Sequence, residues 1–91
     1  MKFRLQYQGL VATEDIPRIS PDWQKKIKKA VEEKLTSNPQ IYGKPLRQSL
    51  KGFRKLRVGD YRVIFKIEGL TVKIFAIQHR SVVYRRIIKR V

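Results

Sequence analysis

Residues 52–77 read GFRKLRVGDYRVIFKIEGLTVKIFAI, and this stretch decides the fold. It contains three runs rich in Val, Ile and Phe, separated by the pairs Gly59-Asp60 and Glu68-Gly69. Such runs, joined by two-residue turns that contain glycine, are typical of antiparallel hairpins. We therefore predict a meander of three strands, with the runs at 52–58, 61–67 and 70–77.

The residues on either side predict one more strand and a helical layer. Lys2–Gln8 alternates apolar and polar residues, as a half-buried strand does. Ser20-Pro21-Asp22 is a helix start, with the serine as the N-cap, and Ser37-Asn38-Pro39 ends that helix. Its apolar stripe, expected to lie in the core, consists of Trp23, Ile27, Ala30, Val31 and Leu35. Two further short helices are predicted over Leu10–Ile19 and Ser81–Arg90.

This order of elements predicts an α+β fold. A small antiparallel β-sheet is expected to carry two N-terminal helices packed on one face, and a short C-terminal helix follows the last strand. The chain has 91 residues, without repeats or a long linker, so residues 1–91 are expected to form a single domain. A sheet that helices cover on one side leaves its other face free for function.

The positive charge of the chain is high and uneven. Lys and Arg number 22 against 7 Asp and Glu, and residues 43–91 hold a net charge of +12 out of +15. Charge concentrated on one half of a chain favours a polyanion-binding surface over a mere aid to solubility. The chain has no cysteine, one histidine and no phosphate-binding loop, so neither a metal nor another cofactor is expected. Because the residues after Met1 form no apolar leader and no apolar run is long enough to span a bilayer, we expect a cytoplasmic location and no membrane partner.

The predicted free face of the sheet carries cations. Strand alternation places Lys55 and Arg57 on it, and the next strand adds Arg62 and Ile64. Like charges across strands repel each other, and a bound anion would relieve that repulsion, but ordinary solvated side chains explain the pattern equally well. The segment HRSVVYRR (residues 79–86) combines a histidine, a tyrosine and arginines, which are groups for proton transfer and phosphate binding. Spacing alone does not decide whether these groups take part in catalysis.

Two longer segments resemble a known family. GKPLRQSLKGFRKLRVGDYRVIFKI (residues 43–67) and IQHRSVVYRR (residues 77–86) are similar to the RelE/ParE superfamily of bacterial and archaeal toxins, on the RelE side. With the N-terminal strand and helices, the resemblance covers nearly the whole chain and implies the same RelE-like α+β fold. It also implies the toxin of a type II toxin–antitoxin system, an mRNA endoribonuclease (interferase) that cuts in the ribosomal A site by metal-independent attack of the 2′-hydroxyl on the phosphate. The implied partners are mRNA, the ribosome with its rRNA, and a small acidic antitoxin.

The resemblance implies roles for individual residues. Lys55 matches a strand lysine of the family's active face, and Arg62 would clamp the scissile phosphate. Arg80 would stabilise charge at the phosphate, Tyr84 would orient or stack on the substrate, and His79 is a candidate acid or base. The residues expected to bind RNA or the ribosome are Lys44, Arg47, Arg54, Arg57, Arg85 and Arg86.

The proton chemistry and the class of function stay open at this stage. The family has a further strand lysine two residues before Lys55, where this chain has Phe53, so the base would be Lys55 or His79. A ParE-like toxin that inhibits DNA gyrase by binding shares the fold, although such relatives usually lack the basic and tyrosine residues. A basic nucleic-acid-binding domain without catalysis is the third possibility.

Overall fold

A five-stranded sheet forms the centre of the computed structural model, which describes residues 2–91. The strands are β1 (Arg4–Tyr7), β2 (Lys44–Pro45), β3 (Arg54–Val58), β4 (Tyr61–Glu68) and β5 (Thr71–His79). They lie in the order β1-β5-β4-β3-β2, and neighbouring strands are antiparallel except for β1 and β5, which are parallel. The predicted meander is therefore confirmed as β3, β4 and β5.

Three helical segments lie where the sequence predicts them, although part of their geometry is irregular. The first consists of a wide π-type turn, Val11–Asp15, followed by a 3-10 turn, Ile16–Arg18. Helix α1 (Pro21–Ala30) continues through a second π-type turn, Val31–Leu35. The remaining elements are α2 (Pro39–Tyr42), a 3-10 turn (Gln48–Leu50) and α3 (Val83–Ile87). Helix α2, the turn Gln48–Leu50 and strand β2 are not predicted, because the sequence suggested a loop over residues 39–49. Within residues 2–91 none of these helices has the length and apolar character needed to cross a membrane.

The start of α1 differs from its prediction in one detail. Ser20 is the N-cap, as predicted, and has the extended backbone of that position, but its side chain makes no capping hydrogen bond. Gln24 connects α1 to the preceding turn instead, because its Nε2 donates to the carbonyls of Ile16 and Ile19 at 2.8 and 2.7 Å. Pro21 at the first helical position has no N–H that needs a partner.

The helical layer covers one face of the sheet, which we call the helix face. Phe65 on β4 is fully buried there, and Gly43 lies so close that a Cβ at this position would overlap the phenyl ring. Other fully buried side chains from both layers are Val11, Val31, Leu35, Val63, Val72 and Ile74. Burial of one such side chain contributes about 1.5–3 kcal/mol, so this cluster is the main core.

The opposite face carries Lys55 and Arg62 and is called the basic face below. Ile64 lies on it, as alternation predicts, but is fully buried. A second apolar cluster consists of Leu50, Ile64, Ala76, Val83 and Ile87, with Leu46, Phe53, Phe75 and Tyr84 at its margin. The pairing of β4 with β5 shifts by one residue at Ile64, which leaves Phe75 as a bulge. The expectation that this whole face is free is wrong, because its apolar centre needs a cover and α3 supplies it.

A buried ion pair continues the pairing of β5 beyond the end of β1. Asp15 Oδ2 accepts the N–H of Ile77 at 2.9 Å, and Arg90 Nη1 donates to the carbonyl of Phe75 at 3.0 Å. Asp15 and Arg90 also bind each other through two hydrogen bonds of 2.8 and 2.7 Å. These side chains satisfy backbone groups that a strand would otherwise have to pair.

Trp23 marks the end of the helix face that lies nearest to the β3–β4 turn. Its ring is half-buried and lies 5.5 Å, centroid to centroid, from Tyr61. Gly59 in the turn has a φ of +60°, and a Cβ there would lie 2.7 Å from Trp23 Cζ3. The sequence placed Trp23 in the core, but it packs at the core's margin, so its truncation should cost less than the roughly 3–5 kcal/mol of a fully buried tryptophan.

Replacing Gly59 with alanine should destabilise the fold more than the matched change at Gly69. Both glycines have a positive φ, +60° and +61°, which costs an alanine about 1–2 kcal/mol. Only at Gly59 would the added methyl overlap a side chain, and such overpacking adds about 1–3 kcal/mol. Chemical denaturation of Gly59→Ala and Gly69→Ala measures the difference. Equal losses would show that Trp23 does not pack on the turn.

Candidate functional site

The register of the sheet places four cations in two adjacent rows of the basic face. Lys44 is the direct partner of Lys55 across β2 and β3, and Arg57 is the direct partner of Arg62 across β3 and β4. Direct partners in an antiparallel pair point to the same side, as do residues two apart along one strand. The structure thus brings Lys55, Arg57 and Arg62 to one face, where strand alternation predicts them.

Lys55 and Tyr84 form the contact between the sheet and α3. The ammonium of Lys55 lies 5.7 Å from the centroid of the Tyr84 ring, and both side chains are half-buried. The buried neighbours Val83 and Ile87 hold α3 against the sheet. The hydroxyl of Tyr84 is buried and has no hydrogen-bond partner within residues 2–91. What this residue presents to Lys55 is therefore the ring.

Two arginines meet at the β3–β4 turn. Arg62 Nη1 donates to the carbonyls of Gly59 and Tyr61, both at 2.9 Å, and its other guanidinium donors make no protein hydrogen bond in the described residues. Arg80 comes to the same turn through its backbone N–H, which donates to Asp60 O at 2.8 Å, and its Nε lies 3.4 Å from Asp60 Oδ1. This ion pair is exposed, and exposed pairs contribute about 0–1 kcal/mol, so an anion can compete for Arg80.

His79 is separated from these cations by the sheet. It is the direct partner of Tyr61, whose ring packs against Trp23 on the helix face. Its own ring lies 5.9 Å from the Tyr61 ring, and its Nδ1 is 2.8 Å from Ser81 Oγ. Tyr61 is next to Arg62 on β4, and adjacent residues of a strand point to opposite faces. His79, the partner of Tyr61, therefore lies on the opposite face from Arg62 and Lys55. Among the described residues, no three His, Cys, Asp or Glu side chains converge as metal ligands would.

Arg54 also points away from the basic face. Its Nη1 donates to the carbonyls of Gly43 at 2.9 Å and Gln40 at 3.3 Å, which connects β3 to the end of α2. The sequence suggested that Arg54 binds RNA. Its hydrogen bonds suit a residue that stabilises the fold instead. The other predicted RNA-binding residues are all exposed: Lys44, Arg47, Arg57, Arg85 and Arg86.

Phe53 stands where the resemblance implies a lysine. Its ring packs edge-on against Phe75, with 5.1 Å between the centroids, and so belongs to the second apolar cluster. Lys66 from β4 reaches over this ring, with its Nζ 5.5 Å from the centroid. Lys66 thus adds a cation at this end of the face. It is not among the predicted site residues, although its alternation with Arg62 along β4 is a signal for it.

A match to a known family spans the helical layer, the strands of the basic face and Tyr84. A family model described as "ParE toxin of type II toxin-antitoxin system, parDE" matches residues 11–84. The chain belongs to the RelE/ParE superfamily of toxins. Of the two segments that first suggested this family, residues 43–67 lie wholly within the matched span, and residues 77–86 lie within it as far as Tyr84.

The chain is similar to individual members of the superfamily, to one in sequence and to two in structure. The curated Toxin RelE of Mycobacterium tuberculosis is 45% identical over 53 residues, which is 56% of this chain and 55% of the relative, so the alignment spans little more than half of either protein. The toxin–antitoxin complex RelBE2 of the same organism contains a chain with a TM-score of 0.82 and 25% identity, which covers 89% of this chain and 94% of that chain. A mutant of Escherichia coli toxin RelE in the free state has a TM-score of 0.75 at 18% identity, over 100% of this chain and 99% of that one. These structures confirm the RelE-like α+β fold.

Truncation of the two arginines of β3, Arg54 and Arg57, should change the stability of the fold to different extents. Arg54→Ala removes hydrogen bonds to Gly43 and Gln40, and we expect it to lower the free energy of unfolding by about 1–2 kcal/mol. Arg57→Ala changes an exposed side chain and should stay within about 0.5 kcal/mol of the wild type. Urea denaturation of both variants provides the comparison. A larger loss for Arg57→Ala would overturn the assignment of faces along β3.

Proposed function

We propose that this protein is the toxin of a type II toxin–antitoxin system and an endoribonuclease that cleaves mRNA in the ribosomal A site. The observation that carries the proposal is the gathering of Lys55, Arg57 and Arg62 on one sheet face, with Tyr84 packed beside Lys55. Membership of the RelE/ParE superfamily supports it. The excess of positive charge, +15 over the whole chain, suits a site of action surrounded by rRNA.

The basic face suits RNA cleavage by the substrate's own 2′-hydroxyl. In this reaction the bond from O2′ to phosphorus forms while the bond from phosphorus to O5′ breaks, which leaves a 2′,3′-cyclic phosphate and a 5′-hydroxyl. The Nζ of Lys55 is the proposed base that takes the proton of the 2′-hydroxyl, and O5′ takes up a proton from water. Arg62 and Arg80 stabilise the negative charge that accumulates on the phosphate oxygens, a task that metal ions perform in other nucleases.

Arg62 has the geometry of a phosphate clamp. Its Nη1 is engaged with the turn carbonyls of Gly59 and Tyr61, which fixes the plane of the guanidinium. The N–H groups on Nε and Nη2 remain for two phosphate oxygens, and such paired, charge-assisted hydrogen bonds are the strongest that arginine makes. The ring of Tyr84 packs beside the Lys55 side chain, with 5.7 Å between Nζ and the ring centroid, so Tyr84 acts by orienting Nζ.

Cleavage of a reporter mRNA on translating ribosomes tests the proposal. We expect Arg62→Ala to lower the single-turnover rate by about 100- to 1,000-fold, because it removes the main stabilisation of transition-state charge. The matched control is Arg18→Ala, which changes an exposed arginine in the helical layer away from the basic face and should leave both rate and stability nearly unchanged. Cleavage should map to codon positions, and its product should end in a cyclic phosphate.

Two results would contradict this function. One is an intact message with active wild-type protein on translating ribosomes, and the other is cleavage that Arg62→Ala leaves unchanged. The first result would favour the second candidate, a toxin that inhibits DNA gyrase by binding, because the matching family model carries the ParE description. Inhibition of supercoiling by the wild-type protein would then distinguish that activity from plain nucleic-acid binding.

The partner we propose is a small acidic antitoxin. The strongly similar chain in the RelBE2 structure belongs to a toxin–antitoxin complex, and the net charge of +15 attracts an acidic segment. Such a segment would compete with RNA for the basic face, and both partners would act in the cytoplasm. Adding a small acidic protein encoded beside this gene should stop cleavage in the same assay, and unchanged cleavage at saturating amounts would count against it as the partner.

A further inference from the structure

Asp15 is a buried carboxylate at which three parts of the fold meet. Its side chain is 1% exposed. Its two oxygens accept four hydrogen bonds: from the N–H of Ile77 at 2.9 Å, from Gln78 Nε2 at 2.9 Å, and from Arg90 Nη1 and Nη2 at 2.8 and 2.7 Å. The first helical segment, strand β5 and the C-terminal residues are thereby joined at a single side chain.

Arg90 uses this carboxylate to fix the end of the chain. It lies three residues after the end of α3, its side chain is 11% exposed, and a third hydrogen bond connects its Nη1 to Phe75 O at 3.0 Å. The hydrogen bonds to Asp15 raise the pKa of Arg90. The Arg90 contacts on one side and the buried Val83 on the other hold α3 where Tyr84 lies beside Lys55.

Gln78 connects Asp15 to the basic face, because it binds Asp15 and is the cross-strand partner of Arg62. Because Asp15 only accepts, the Gln78 amide must turn its nitrogen towards Asp15 and its oxygen away. That oxygen is buried, and no donor within the described residues binds it. Gln78 is also the direct cross-strand partner of Arg62, so the two side chains are neighbours on one face. A buried acceptor without a donor costs stability, and its retention next to Arg62 calls for a function.

We propose that Asp15, Gln78 and Arg90 form a positioning network that holds Arg62 and Tyr84 in place for the reaction on the basic face. Arg90 fixes α3 and therefore Tyr84, while Gln78 offers its free oxygen to the one N–H of Arg62 that neither the turn carbonyls nor the phosphate uses when the substrate is bound. None of the three residues touches the RNA. The inference rests on the proposed nuclease function for its effect on rate, but its geometry can be tested without RNA.

Gln78→Leu tests the link to Arg62. Leucine has nearly the same volume, but it removes the hydrogen bond from Nε2 to Asp15 as well as the unpartnered oxygen, so the melting temperature should fall modestly while the fold stays intact. The single-turnover cleavage rate at saturating toxin should fall by about 10- to 100-fold, since small misplacements of a catalytic group have effects of this size. The toxin concentration that gives half the maximal rate should not change. Gln6→Leu on the exposed part of β1 is the matched control and should behave as the wild type.

Arg90→Gln tests the link to α3, with the exposed neighbour Lys89→Gln as its control. Amide hydrogen exchange in α3, including the N–H of Arg86 that binds Val82 O, should speed up at least about tenfold in Arg90→Gln at a temperature where the fold is intact. Lys89→Gln and Gln78→Leu should leave this exchange unchanged, because neither removes an anchor of α3.

The readouts separate failure of the network from failure of the function. Normal cleavage by Gln78→Leu, or unchanged exchange in α3 of Arg90→Gln, would overturn the network even if the wild type is an active nuclease. If the wild type cleaves no message, the nuclease proposal fails by itself. The network is then judged by the guanidinium N–H resonance of Arg62 in saturating inorganic phosphate, which should shift in Gln78→Leu and not in Gln6→Leu. An unshifted resonance would overturn it.

Discussion

The ion pair between Asp15 and Arg90 joins residues 75 apart in sequence and closes the edge of the sheet that β1 leaves open. Four hydrogen bonds reach the carboxylate, so the cost of burying it is balanced by partners on every side. Removing one member of a buried pair costs about 3–5 kcal/mol, because the other charge is left without compensation. The first helical segment, the bulged strand β5 and α3 all depend on this contact, and through them so does the geometry of the basic face.

The local part of the fold follows from the sequence, and the long-range part does not. Alternation and the glycine turns at 59 and 69 predict β3, β4 and β5, because both signals act between neighbouring residues. The parallel pairing of β1 with β5 and the cover that α3 gives to Ile64 depend on contacts across the whole chain. The sequence does contain a signal for Asp15. It lies four residues from both Val11 and Ile19, so the pattern places a carboxylate within an apolar helical stripe.

The candidate site divides in the same way. Lys55, Arg57 and Arg62 could be placed on one face from alternation, because β3 and β4 form a regular hairpin there. His79 could not, because its face depends on the bulge at Phe75, which reverses the alternation along β5. Arg54 illustrates a different difficulty: its charge suggested RNA, while its hydrogen bonds are with carbonyls of a loop whose path the sequence does not reveal. Gln78 has no sequence signal, since its importance comes from its partners.

The most direct measurement of the link between the buried pair and the chemistry is a double-mutant cycle on Arg62 and Gln78, which face each other across β4 and β5. Single-turnover cleavage rates are needed for Arg62→Ala, Gln78→Leu and the double variant. Because Gln78 is proposed to act only through Arg62, the double variant should cleave no more slowly than Arg62→Ala alone. Losses that multiply in the double variant would contradict this, because they would mean that the two residues contribute independently.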